Sequence, residues 1–181
     1  MPATHVALIR GINVGKAKRI SMADLRTLVE GLGYRDVKTL LNSGNVVFTA
    51  KAKSEVAAAR IEKALTAATG VSARVTVLTA AELAEIVAEN PLTAVAADPA
   101  RHLVAVLNSW TDRSRLEPLM NQDWKPGRLA VGTRVAYLWC PDGILESPLV
   151  VALGKALKDS VTSRNWATML KLQALVTGTD E

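Results

Sequence analysis

The stretch RGINVGKAKR, residues 10–19, sets four cations, Arg10, Lys16, Lys18 and Arg19, in one acid-free segment with two glycines, Gly11 and Gly15. Cations there would attract a phosphate or carboxylate, and the glycines let backbone amides approach it closely. Asn13, between the glycines, belongs to the same candidate anion site. A nucleotide-binding P-loop needs G-x-x-x-x-G-K-[ST], whose hydroxyl holds magnesium. Here three residues separate Gly11 from Gly15, and Ala17 stands where that hydroxyl must be. No helix follows at once either, since the next cap is Ser21. The segment therefore predicts either anion binding without magnesium chemistry or a plain solvated basic turn.

A second group lies in SRNWATMLKL, where Arg164 and Asn165 precede Trp166. At a helix start these two would meet an anion beside amides that already point outward. Trp166 and Leu170, one turn apart, would anchor the helix. Catalytic sets do not assemble. Cys140 is the single cysteine, which excludes an internal disulfide and a thiolate zinc site. As a nucleophile it would need His5 or His102, the two histidines, from elsewhere in the chain, so a packed thiol is the plainer reading. The acids Asp24, Asp36, Glu82 and Glu85 fall on helix caps and surfaces without pairing. Neither a metal site nor a cofactor is expected.

The elements that must position these residues are punctuated by caps. HVALIRG reads as a strand; Ser21 then caps a helix with Met22, Leu25, Leu28, Val29 and Leu32 on one face and Gly33 as its stop. VKTLLNSGNVVFTA reads as two strands joined by a tight turn at Asn42-Ser43-Gly44-Asn45. Ser54 caps an alanine-rich helix ending at Gly70, and ARVTVLT supplies a fourth strand. The order β-α-β-β-α-β is that of a ferredoxin-like α-β plait, an antiparallel sheet with both helices on one side. Thr79 and Glu82 form a capping box for an extra helix, which closes a first half at about residue 90. A linker at 91–101 carries two prolines, and the same order restarts with HLVAVLNS. A helix follows near Asp112 to Met120, then strands at RLAVG and RVAYLWC and a helix around Leu149 to Leu157. At most DSVTS stands where a fourth strand would come, before a last helix from about Arg164, so residues 102–181 read as a second, modified plait. The fold class is α+β, two ferredoxin-like halves. HVALI and HLVAVL are apolar on both sides, so the sheets are expected to be covered on both faces, by one another or across a dimer.

With 181 residues and 49% hydrophobic content the chain buries a core, and its charge of +5 draws anions without specifying one. MPATHVALIRG lacks the features of a signal peptide, and no apolar run reaches the roughly 18 residues of a membrane span. A cytoplasmic protein is expected, with no membrane partner. RNA-recognition modules share the β-α-β-β-α-β order, but they stack bases on aromatics of the first and third strands, where this chain offers only Phe48.

Taken together, VALIRGINVGKAKRISMADLRTLVEGLGYRDVKTLLNSGNVVF, TAAELAEIVAENP, PDGI and SRNWATMLKL resemble the bacterial domain-of-unknown-function 1697 family, in order and along nearly the whole chain. The resemblance implies a cytoplasmic bacterial protein of two α-β plait halves. Against the family pattern, Lys16 replaces a glycine, Pro148 a lysine and Ala167 an asparagine. If those positions bind a ligand, this member binds it more weakly or binds another. The leading functional expectation is a non-catalytic protein that binds an anionic partner, a phosphorylated metabolite or nucleic acid, near residues 10–19. The alternatives are an enzyme acting on a small substrate in a cleft between the halves, and a homodimeric assembly module.

Overall fold

Each cap residue has a definite outcome in the computed structural model, which describes residues 1–15 and 19–179. The first strand, β1 (Ala3–Arg10), is followed by α1 (Met22–Glu30), whose Asp24 amide donates to Ser21 Oγ at 3.0 Å. The helix ends at Gly31, ahead of Gly33, which has φ +84°. Strands β2 (Arg35–Leu40) and β3 (Asn45–Ala50) form the hairpin, then come α2 (Ser54–Thr69) and β4 (Arg74–Thr79). Ser54 is the first residue of α2 and not its cap; that position falls to Lys53, which makes no side-chain capping bond. At the other end Gly70 closes α2 in the left-handed region, at φ +70°. The capping box forms in both directions: Thr79 N–H donates to Glu82 Oε2 at 2.7 Å and Glu82 N–H to Thr79 Oγ1 at 3.1 Å. It opens α3 (Ala80–Ala88).

The second series runs β5 (His102–Leu107), a 3-10 helix (Trp110–Leu116), α4 (Glu117–Met120), β6 (Arg128–Val131), β7 (Val135–Trp139), α5 (Pro148–Leu157), β8 (Val161–Asn165) and α6 (Trp166–Thr177). Where DSVTS reads as at most a remnant, β8 is a full fourth strand paired antiparallel to β5 from Leu103↔Asn165 to Leu107↔Val161. Arg164 and Asn165 are therefore strand residues, and the last helix starts after them. The two sheets have the same order, β2-β3-β1-β4 and β6-β7-β5-β8, with all pairings antiparallel. That is the plait order, met twice.

Two compact units result: Met1–Glu85 with the chain from Leu172 onward, and Ile86–Lys171. The first holds a core of Phe48, Leu25, Ile61 and Leu65 between its sheet and α1 and α2. The second holds Leu107, Leu116, Leu138, Leu153 and Leu157. Side chains on the other face of each sheet are buried as well. Val6, Leu8 and Leu78 in the first sheet and Val104, Val106 and Tyr137 in the second are 3% exposed or less. This agrees with strands that do not alternate apolar and polar residues.

One glycine is held on two counts. Gly44, in the β2–β3 turn, has φ +92°, and a Cβ built there would lie 2.8 Å from Ile12 Cδ1 and 3.0 Å from Ile9 Cβ. Its carbonyl accepts from Ile9 N–H at 2.9 Å. Gly33, at φ +84°, has open space around the same built atom. Gly33→Ala is thus expected to cost only the backbone penalty, about 1–2 kcal/mol, and Gly44→Ala about 1–3 kcal/mol beyond it for overpacking. Urea unfolding of both variants would check the difference.

Candidate anion-binding site

The segment after β1 is shaped by a side chain. Gly11 leaves the strand at φ +91°, Ile12 turns into the core at 2% exposure, and Asn13 takes φ +55°. Asparagine tolerates that region because its short amide can bond locally. The Asn13 Oδ1 accepts from Ile20 N–H at 2.8 Å, while Nδ2 donates to Ile20 O at 2.9 Å and to Asn42 O at 3.0 Å. Both amide hydrogens are thereby committed to backbone carbonyls, so Asn13 holds the loop together. Arg19 folds back over it, Nη1 donating to Asn13 O at 3.3 Å. Gly15 turns again at φ +56°. Lys16 and Lys18 lie outside the described residues.

Arg10, exposed at the end of β1, stands directly across from Arg74 on β4. Like charges facing across a ladder are unfavourable by themselves, and a nearby negative charge relieves them. Both arginines already have partners within the chain. Arg10, Gly11, Asn13, Gly15 and Arg19 are therefore parts of one turn system, tied to the hairpin at Asn42 and packed on Gly44. Arg74 and the 41–44 turn joined it unannounced by spacing: Asn13 and Asn42 are 29 residues apart.

Arg164 and Asn165 belong to the other unit. Asn165 Oδ1 accepts from Thr168 N–H at 2.9 Å, so it caps α6 and uses an amide that an anion would otherwise meet. Arg164 pairs in register with Val104, and its Nη1 donates to Ser163 O at 2.8 Å. Burial lowers its guanidinium pKa to about 10.

Cys140 is 2% exposed, and burial pushes its thiol pKa up, opposed in part by a hydrogen bond with Ser147. It lines a cavity of about 360 Å³ with Trp124, Asp142, Glu146 and Ser147. A raised pKa makes a poor nucleophile at neutral pH. The histidines are engaged elsewhere: His5 Nδ1 donates to Ala3 O at 2.9 Å and its ring stacks on Phe48, while His102 stacks on Trp166. Among the described residues no three His, Cys, Asp or Glu side chains gather to hold a metal. No described helix is long and apolar enough to cross a membrane.

The family model described as a protein of unknown function, DUF1697, matches residues 3–137. No curated protein matches the chain. Among solved structures, it is similar to the conserved bacterial protein SP0830 from Streptococcus pneumoniae, with 21% identity and a TM-score of 0.75 over 97% of this chain and 99% of that one. At that identity the likeness shows the fold alone.

Titration of His102 supplies a test of the second unit. The ring is fully buried, Asn90 Nδ2 donates to its Nε2 at 3.2 Å, and Nδ1 therefore carries the proton with no partner among the described residues. Burial pulls its pKa below the usual 6.5. A depressed pKa means that the unfolded chain binds the proton more readily, so this stability is complete above pH 6.5 and is lost as pH falls towards the folded value. Denaturant unfolding at a series of pH values should lose up to about 1.4 kcal/mol per pH unit from this one group. The variant His102→Gln should lose that slope.

Proposed function

Because this chain belongs to the DUF1697 family, whose description assigns no activity, we propose a function from its own residues: a non-catalytic, cytoplasmic protein that holds a phosphorylated small molecule on the loop after β1. The observation that carries the reading is the Asn13 carboxamide, which ties the residues after β1 to Ile20 and to Asn42. A loop fixed before binding loses little freedom when the ligand arrives, and that favours affinity. Arg10 and Arg19 supply guanidinium forks suited to phosphate oxygens, and the Gly11 and Gly15 turns leave backbone unshielded by side chains. Lys16 and Lys18 add charge in the same ten residues.

A small phosphate ester fits better than single-stranded nucleic acid. Base stacking needs exposed aromatics on the sheet. Phe48 is fully buried, held in the core between His5 and Tyr34. Magnesium has no part in the reading, since Ala17 offers no hydroxyl after Lys16.

A thermal-shift panel of nucleotides, sugar phosphates and short oligonucleotides, with and without magnesium, tests it. At a hundred times its dissociation constant a ligand adds about 2.7 kcal/mol, or roughly 5–11 °C for a chain of this size. The expected result is a magnesium-independent shift by at least one phosphorylated small molecule that Arg10→Ala with Lys16→Ala abolishes. No shift, or an equal shift in the double variant, would reduce the loop to a solvated turn. A shift confined to oligonucleotides and erased by salt would assign it to nucleic acid instead.

A further inference from the structure

The first unit holds a second basic recess that shares no residue with the loop after β1. A cavity of about 540 Å³ opens beside the aromatic stack, lined by Tyr34, Arg35, Lys51 and Arg60 with the apolar side chains of Pro2 and Leu32. That volume lies within the range of small-molecule sites. Three cations and no acid line it. Of the stack, Tyr34 lines the recess: His5 stacks on Phe48 at 5.4 Å, Phe48 on Tyr34 at 4.9 Å, and the Arg60 guanidinium lies 5.5 Å from the Tyr34 ring centroid. Arg60 Nη2 donates to Leu32 O at 3.3 Å, which steadies the fork and leaves its other hydrogens unassigned to that carbonyl.

Two features narrow the ligand. The Tyr34 hydroxyl is buried and has no hydrogen-bond partner among the described residues. Buried hydroxyls are nearly always paired, and the Tyr34 side chain lines a recess whose charged groups are all donors. Lys51 and Ala52 also lead directly into α2, which has no side-chain cap, so the positive end of a 16-residue helix adds to the field of the cations, offset in part by Glu55 in its first turn. The charged side chains that line the recess favour an acceptor carrying negative charge.

We infer that this recess binds a small organic anion, with a carboxylate or phosphate head held by Arg35, Lys51 and Arg60 and a body lying against Pro2 and Leu32. The Tyr34 hydroxyl donates to the same head. The site is independent of the loop, so either can fail alone.

Calorimetric titration with benzoate and with phenyl phosphate distinguishes the two heads. Saturable binding of at least one is expected, weakened about tenfold or more by Arg60→Gln, because charge-assisted hydrogen bonds are the strong ones. Lys51→Gln, at an exposed position, gives the same direction should Arg60→Gln disturb the fold. Tyr34→Phe should weaken binding several-fold while leaving the melting temperature equal or higher, since an unpaired buried hydroxyl is removed. That split between affinity and stability would not arise from a merely structural tyrosine. Arg10→Ala with Lys16→Ala should bind as the wild type does. Absence of saturable heat at millimolar concentration, binding indifferent to all three recess variants, or loss only in the loop variant would overturn the assignment.

Discussion

The Asn13 carboxamide does for the first unit what a peptide group does in a sheet. It accepts from the N–H and donates to the carbonyl of the same residue, Ile20, and spends its second hydrogen on Asn42. Aspartate could not donate, and glycine would take the same positive φ without bonding anything. Each bond is worth about 1 kcal/mol net, but breaking the set would leave two carbonyls and an amide seeking water beside the core. Ile20 is itself buried and Ser21 caps α1, so the position of the first helix follows from that side chain. On the other side, the tie to Asn42 keeps the hairpin turn against Ile12, where only a glycine fits. Asn13, the hairpin turn and the start of α1 are thus tied together.

That rigidity accounts for the division of labour at the candidate site. Asn13 positions, and in the proposed function the arginines and the backbone around Gly11 and Gly15 would meet the ligand. In the second unit the other candidate residues settle differently: Asn165 closes the N-terminus of α6 on Thr168, and Arg164 is drawn into the strand, where burial weakens its hold on its proton. Both histidines are engaged away from Cys140, whose thiol is raised by the same loss of water.

Much of the plait was legible because its signals are local. Ser21, the Thr79–Glu82 box and Gly70 act within a turn of their own position, and two-face burial showed as uninterrupted apolar strands. The strand β8 was hard to read for the opposite reason. Its sequence, VTSRN, has one strongly apolar residue, and pairing with the fully buried β5 makes it a strand where propensity does not. Lys53 and Ser54 show the same limit on a smaller scale, since either could begin α2 and only packing decides. At the candidate site the cations and glycines were visible in ten consecutive residues. The bond from Asn13 to Asn42 and the stacking of Arg60 on Tyr34 join distant segments, so no spacing could announce them.

Anion binding on the loop after β1, as proposed, is addressed most directly by amide chemical-shift mapping during a titration with inorganic phosphate. The account predicts saturable shifts at Gly11, Asn13, Gly15 and Arg19, with the Ile20 amide retaining slow hydrogen exchange before and after phosphate is added. Shifts that rise linearly and evenly over the basic surface, or an Ile20 amide that exchanges freely until phosphate arrives, would contradict it.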